Sequence, residues 1–390
     1  MHRKAKRVTA CFLIATIAPL VVGFAALLAY DPLQIYHLPW GRPLTLHSNM
    51  RLQAAGVIRH RNFDSVILGT SMTENSSADE ASALLGGLFV NLSLTAADFY
   101  ERALVLDYLF RGKSPKQILY TVDHIYINSR KGYPHFPLPT FDFLYDRNPF
   151  NDVRAYLNAH FGACLLRWSH DPDCIGSAVG LDRPNAWYAQ PDYVRRFGGI
   201  DRWCESKDDY QIRDVRKLLQ TAVEEISTDG AKTAPKAERD AKVMHAIQYV
   251  DDNVVRHVRE HRDVRFVFIF PPYFRATYAI WHQARPMHSA IHLAVIRHFA
   301  HLSSELDNME VYGFEDAAFL DDIANYKDLG HYGPAFDSQI LHAIASKEHR
   351  LTENNVDAYI DHSLARAKAF DLRELKRQLD TCFDSGPAAH

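Results

Sequence analysis

Hydrophobic runs recur along the chain at intervals and are separated by helical patterns. The first lies at 63–68, "FDSVIL". It is followed by 88–92 "LFVNL", 117–122 "QILYTV", 264–270 "VRFVFIF" and a weaker 309–314 "MEVYGF". These runs are continuous rather than alternating and rich in Val, Ile and Phe, the composition of strands buried on both faces. Amphipathic helical patterns occupy 78–85, 98–110, 238–261, 284–306 and 334–345. Strand alternating with helix predicts an α/β fold, a three-layer parallel sheet flanked by helices.

Two stretches break the alternation. Between the third and fourth strands lie about 140 residues, far more than a crossover needs. They predict an insertion at about 128–240, rich in aromatics, with "STDGAKTAPKAERD" as its flexible exit. Its aromatics are either core or a surface for stacking a sugar. After 350 the tail, 351–390, carries many charges on a helical pattern and reads as a peripheral helix.

The N-terminus obeys a different rule. Arg3, Lys4, Lys6 and Arg7 precede an uncharged run over 8–30, long enough to cross ~30 Å of hydrocarbon as a helix. The basic flank places the N-terminus in the cytoplasm and the rest of the chain outside, as a single-pass protein of the inner membrane. A cleaved signal peptide is the rival reading, although its apolar region is usually shorter. Residues 31–60, beginning with the Pro-rich "DPLQIYHLPWGRP", read as a juxtamembrane linker to a domain over 61–350.

The net charge is −3, and it becomes more negative without the four N-terminal cations. A mildly acidic domain gives no reason to expect nucleic acid. Of five cysteines, Cys11 lies in the apolar run. The other four would meet an oxidising compartment, where an even number suggests disulfides. Cys164 and Cys174 are ten apart and suit a local loop, which leaves Cys204 with Cys382; four buried thiols are the alternative. No metal or organic cofactor is expected.

In parallel sheets ligands sit at the carboxyl ends of strands. The first strand runs out there into Gly69-Thr70-Ser71. A serine hydroxyl needs a base to take its proton, usually a His oriented by a carboxylate. Near the end, "ANYKDLGHYGPAF" supplies Asp328 and His331, close enough for the carboxylate to reach Nδ1 and leave Nε2 free. Chance pairs come easily among 21 His. The alternatives are a Ser71 that merely caps the next helix and a surface turn at 328–331.

Gly69-Thr70-Ser71 after the first strand, with Asp328-x-x-His331 before the last helix, resembles the SGNH/GDSL hydrolase superfamily over roughly 61–346, the insertion apart. Thr70 stands where the common pattern has Asp. The anchored layout with "FIFPPY" after the fourth strand also resembles the D-alanine transfer proteins of teichoic acid synthesis. It resembles more loosely the proteins that acetylate exopolysaccharides. The resemblance implies Ser71 as nucleophile, His331 as base and Asp328 as its orienter. The implied oxyanion hole combines the Ser71 N–H, a Gly N–H after the second strand and an Asn after the third. Ala96 holds the Gly position, and its backbone N–H can still donate. Asp123 or His124 holds the Asn position; His124 can donate, whereas an ionised Asp123 cannot and would instead meet a cationic or hydroxyl-bearing substrate. Tyr273 either shapes its loop or touches substrate. The activity expected is acyl transfer or deacylation on carbohydrate during envelope or exopolysaccharide assembly. The membrane through 8–30, a carbohydrate acceptor and a polytopic membrane acyltransferase are the expected partners. A non-catalytic polymer-binding protein and a plain esterase or lipase are the alternatives.

Overall fold

The computed structural model describes residues 2–188, 190–228 and 234–384; the exit segment expected around 227–240 lies partly outside them. Among these residues the chain forms one mixed six-stranded sheet: β1 Ser65–Leu68, β2 Phe89–Asn91, β3 Gln117–Thr121, β4 Arg265–Phe270, β5 Met309–Gly313 and β6 Arg350–Leu351. Its order is β2-β1-β3-β4-β5-β6. The first five strands are parallel, and β6 pairs antiparallel with β5. The order reverses direction at β1, so the carboxyl end of β1 lies at a topological switch point, where α/β sheets bind ligands.

Side-chain alternation along each strand divides the core in two. Val66, Leu68, Ile118, Tyr120, Phe266 and Phe268 join the helices Met50–His60, Phe99–Gly112, Lys236–Val250 and Pro286–Glu305 on one face. Ile67, Leu119, Val267 and Ile269 join Ala78–Leu85, Tyr210–Ser227, Arg275–Ala284 and Pro334–Ser346 on the other. Both faces are covered, which is why the strands read as unbroken apolar runs.

Several boundaries differ from the sequence expectation. Residues 31–60 are not a free linker: Leu33 and Ile35 are fully buried, and 50–60 forms a helix in the core. The Pro-rich composition concealed this, because the turn that Asp31 makes with the N–H groups of 35–37 is locked by the distant Tyr156 hydroxyl. The tail is not peripheral either. It begins in β6 and continues as helices Val356–Ala369 and Leu372–Asp384, which bury Ile360, Ala367, Leu375 and Leu379. The insertion is no separate body, since helix Tyr210–Ser227 covers the sheet with Ile212, Val215 and Leu219. The helix before β4 runs as Lys236–Val250, a π-turn at Asp251–Val255 and Arg256–Glu260. Cys164 is bonded to Cys174 and Cys204 to Cys382.

At the N-terminus, helix His2–Tyr30 contains an apolar stretch, Cys11–Tyr30, of mean hydropathy 2.5 whose residues 11–25 are exposed and whose end at Tyr30 packs on the domain. It is long and apolar enough to cross a membrane, as an anchor or a signal sequence would be.

Candidate active site

β1 is buried throughout and ends at Leu68. Gly69 is required next, because a Cβ there would lie 2.1 Å from Thr73 Oγ1 and 2.5 Å from Thr121 Oγ1. The backbone then turns, with Thr73 N–H donating to the Thr70 carbonyl (3.0 Å). The following helix, Ala78–Leu85, is capped by Ser77, whose hydroxyl accepts the Glu80 N–H. Ser71 is therefore not the cap, and its hydroxyl is available for other work.

That hydroxyl lies 2.8 Å from His331 Nε2. His331 Nδ1 lies 2.9 and 2.8 Å from the two carboxylate oxygens of Asp328. A carboxylate facing Nδ1 fixes the proton there, so Nε2 presents its lone pair to Ser71. Asp328 Oδ1 also accepts the N–H groups of Gly330 and His331, both at 2.8 Å, and so shapes the turn that carries the histidine. Burial opposes ionisation of Asp328. The His331 ring, the Lys327 ammonium and these hydrogen bonds outweigh it and hold the carboxyl well below the usual range.

Lys327 is itself buried. Its Nζ bonds Asp328 Oδ2 at 2.9 Å and Gln211 Oε1 at 3.1 Å, and it lies over the rings of Trp187 and Tyr193. Trp187 donates its indole N–H to the Ser71 carbonyl (2.7 Å) and meets the His331 ring edge-on. The Tyr332 hydroxyl donates to the neighbouring Met72 carbonyl (2.9 Å). The turn that carries Ser71 is thus held by one residue of the insertion and one of the histidine loop. Neither Trp187 nor Lys327 was singled out from sequence. Lys327 adjoins Asp328, and Trp187 stands in "RPNAWYAQPDY", an aromatic cluster among loop residues.

Among the described residues the backbone N–H groups of Ser71 and Ala96 donate to no protein acceptor. Ala96 has φ +54°, the left-handed region in which glycine is the ordinary choice. The position where the resemblance expects Gly thus keeps a glycine-like backbone. The ring of His124 also lines the cleft, packed against Tyr273 and Trp281. The residue is open to solvent; desolvation by the packed rings lowers its pKa, partly offset by the Asp123 charge. Even at the ordinary imidazole value most of the ring would be neutral above pH 7, with one N–H to donate. Tyr273 is buried beneath the cleft, and its hydroxyl lies 3.5 Å from the His124 N–H.

Asp123 is placed otherwise than a substrate-binding carboxylate would be. It is buried, accepts the hydroxyls of Thr70 (2.8 Å) and Thr121 (2.7 Å), and pairs with buried Arg102 at 3.2 Å. Both oxygens are engaged, so it reaches the cleft as wall rather than as a free anion. Two of the positions at which the chain departs from the pattern of the resemblance, Thr70 and Asp123, are bonded to each other.

These groups line a cleft of about 920 Å³, together with Tyr133, Tyr210, Arg130 and Glu74. Glu74 is buried and accepts the Thr95 hydroxyl. Burial pushes its carboxyl up to about 7, against the lowering effects of Thr95, Arg51 and Lys327. The arrangement can deprotonate a serine, hold the resulting imidazolium, and offer two backbone donors to a developing oxyanion. Compared with protein families, with curated proteins and with solved structures, the chain shows no match.

Proposed function

We propose that this chain is a membrane-anchored serine acyltransferase or deacylase of SGNH type, acting outside the cytoplasm on carbohydrate. The observation that carries the reading is the hydrogen-bonded line from Ser71 through His331 to Asp328 at the switch point of the sheet. In this mechanism His331 Nε2 takes the Ser71 proton as Oγ attacks an ester or thioester carbonyl carbon. The oxyanion forms against the N–H groups of Ser71 and Ala96, with the neutral His124 ring as a further donor. His331 then gives its proton to the leaving group. A sugar hydroxyl or water, deprotonated in turn by His331, releases the acyl group from Ser71 and restores the free enzyme.

The cleft supports a saccharide acceptor. Its volume far exceeds what a small ester needs, and Tyr133 and Tyr210 offer the rings on which sugars stack. The basic flank of the N-terminal helix supports an outward-facing domain in the inner membrane, beside a polytopic membrane protein that delivers the acyl group. A second reading, polymer binding without turnover, is favoured by one observation: the position of the third oxyanion donor is occupied by Asp123, which cannot donate while ionised.

Intact-protein mass spectrometry after exposure to an activated acetyl ester tests both. The proposal expects an acetyl adduct at Ser71, weak hydrolysis, and transfer only when an oligosaccharide is added. Tyr210→Ala should lower transfer relative to hydrolysis. No adduct under any condition supports the binding protein, and rapid hydrolysis indifferent to saccharide supports a plain esterase.

A further inference from the structure

The apolar helix is welded to the domain rather than tethered to it. Tyr30, its last residue, is buried and donates its hydroxyl to the Ser169 carbonyl at 2.6 Å. Asp31 is fully buried. Its carboxylate accepts the N–H groups of Ile35, Tyr36 and His37 at 3.0, 2.8 and 2.9 Å, and the Tyr156 hydroxyl. Arg42 holds the Asp31 carbonyl at 2.7 Å, and His37 Nε2 lies 2.6 Å from the Leu28 carbonyl within the helix. Asp31 and Gln34 both take positive φ, 33° and 57°. Gly56 lets the next helix come so close that a Cβ there would lie 2.2 Å from the Gln34 carbonyl oxygen. A segment removed by cleavage, or one serving as a leash, has no need of such a junction.

Large apolar side chains face outward around this junction. Helix Ala159–Arg167 packs on the end of the anchor, and its Cys164–Cys174 bridge shares a cluster with Tyr30 and Ile175. Trp168, just after that helix, packs on Tyr30 at 5.2 Å and is exposed on its outer side; Leu166 is 90 % exposed. On the other flank Trp40 stacks on His37 at 3.8 Å, is 65 % exposed, and adjoins exposed Leu38. Leu157, beside Tyr156, is also open. A lone exposed leucine carries no meaning. Five such residues around the exit of a membrane-length apolar helix do, since two are Trp, whose ring suits the headgroup layer.

We infer that this collar of Leu38, Trp40, Leu157, Leu166 and Trp168 is a lipid-binding surface, seated at the headgroup–acyl boundary of the bilayer that the helix crosses. It fixes the height and tilt of the domain. The inference rests on the anchored reading above. The segment that follows the collar residues Leu38 and Trp40 leads to the cleft: Leu46 pairs with Ala178, and the adjoining Ser48, Asn49 and Ser177 line the cleft wall. A substrate delivered from the membrane therefore meets Ser71 at a set distance.

The chain's own fluorescence supplies the test. Of its five tryptophans, Trp187, Trp203 and Trp281 are buried, which leaves Trp40 and Trp168 open to lipid. The full-length protein is reconstituted in phosphatidylcholine–phosphatidylglycerol vesicles with bromine at shallow or deep acyl positions. Shallow bromine should quench part of the emission and deep bromine less. Trp40→Phe and Trp168→Phe should each shrink the quenched fraction, and the double variant should abolish it while Ser71 still takes a serine-directed probe. Protein that resists carbonate extraction yet shows no quenching overturns the collar alone. So does a photo-crosslinker at position 166 that captures a second copy or another protein in place of lipid. Release by carbonate, or a mature N-terminus beyond residue 30, overturns the anchored reading and the collar with it.

Discussion

The indole N–H of Trp187 donates to the carbonyl oxygen of Ser71 at 2.7 Å, across 116 residues of sequence. The same ring meets His331 edge-on, with centroids 5.4 Å apart. An element of the insertion therefore braces both Ser71 and His331. Trp187→Phe keeps the ring and removes the donor, leaving a carbonyl unpaired at a cost of about 1–3 kcal/mol. We expect kcat to fall about five- to hundred-fold with KM nearly unchanged. A rise in KM at constant kcat would place Trp187 on substrate instead.

Ser71→Ala should abolish labelling by a fluorophosphonate without lowering the thermal midpoint, because Ser77 and not Ser71 caps the following helix. Turnover should fall by about 10⁴ or more, as for removal of a triad member elsewhere. Labelling that persists in the variant would remove Ser71 from the mechanism.

Asp123 pairs with an Arg102 that is completely buried and lies over the rings of Phe99 and Tyr120. Asp123→Asn strands that guanidinium and should destabilise the domain by about 3–5 kcal/mol. Adding Arg102→Met should recover much of the loss. A variant of native stability with a raised KM would show that the carboxylate contacts substrate after all.

Two buried carboxyls give the stability a definite pH slope. Burial pushes Glu74 up to about 7 and Asp337 up to about 8. Asp337 is further lowered by the Ser76 hydroxyl, but burial prevails. Both lie above unfolded carboxyl values, so the native state holds more protons than the unfolded chain between about pH 4 and 8. Their contribution is complete below that window and is lost as pH rises through it. Asp328, held low, acts only at more acid pH. Histidines lowered by desolvation, among them His47, His282 and His288, slope the other way below about pH 6.5. Above that range, from about pH 7 to 8.5, thermal midpoints should therefore fall in the native protein and fall less in Asp337→Asn. Parallel profiles for the two proteins would contradict this.

The two disulfides predict that the oxidised protein carries no free thiol besides Cys11. Cys204–Cys382 closes a 178-residue separation and ties the C-terminal helix to the insertion. In the chain-entropy model a loop of that length contributes about 5 kcal/mol, and the ten-residue loop about 2–3 kcal/mol. Cys382→Ser should therefore cost more than Cys174→Ser, measured as the urea midpoint.

The sequence by itself determined whatever depends on near neighbours. Unbroken apolar runs fixed five strands, because a strand buried on both faces has no polar side to show. Asp328 and His331 were legible as a pair because three residues of one turn bring carboxylate and ring together. The placement of Ser71 followed from a strand ending on a glycine. The cysteine pairing followed from spacing and parity. Tertiary structure alone decided the rest. Trp187 reaches Ser71, Arg102 reaches Asp123, and Tyr156 reaches Asp31 across the chain, and no local period encodes such meetings. The charge at 123 read as free because its partners, Thr70 and Arg102, come from other elements. Residues 31–37 read as a linker because the local turn around Asp31 is fixed only where the Tyr156 hydroxyl and the close approach at Gly56 hold it. β6 escaped notice because two residues make a strand only where β5 offers its edge. The positive φ of Ala96 has no signal in an alanine, whose side chain disfavours that conformation; the fold imposes it at a residue that lines the cleft.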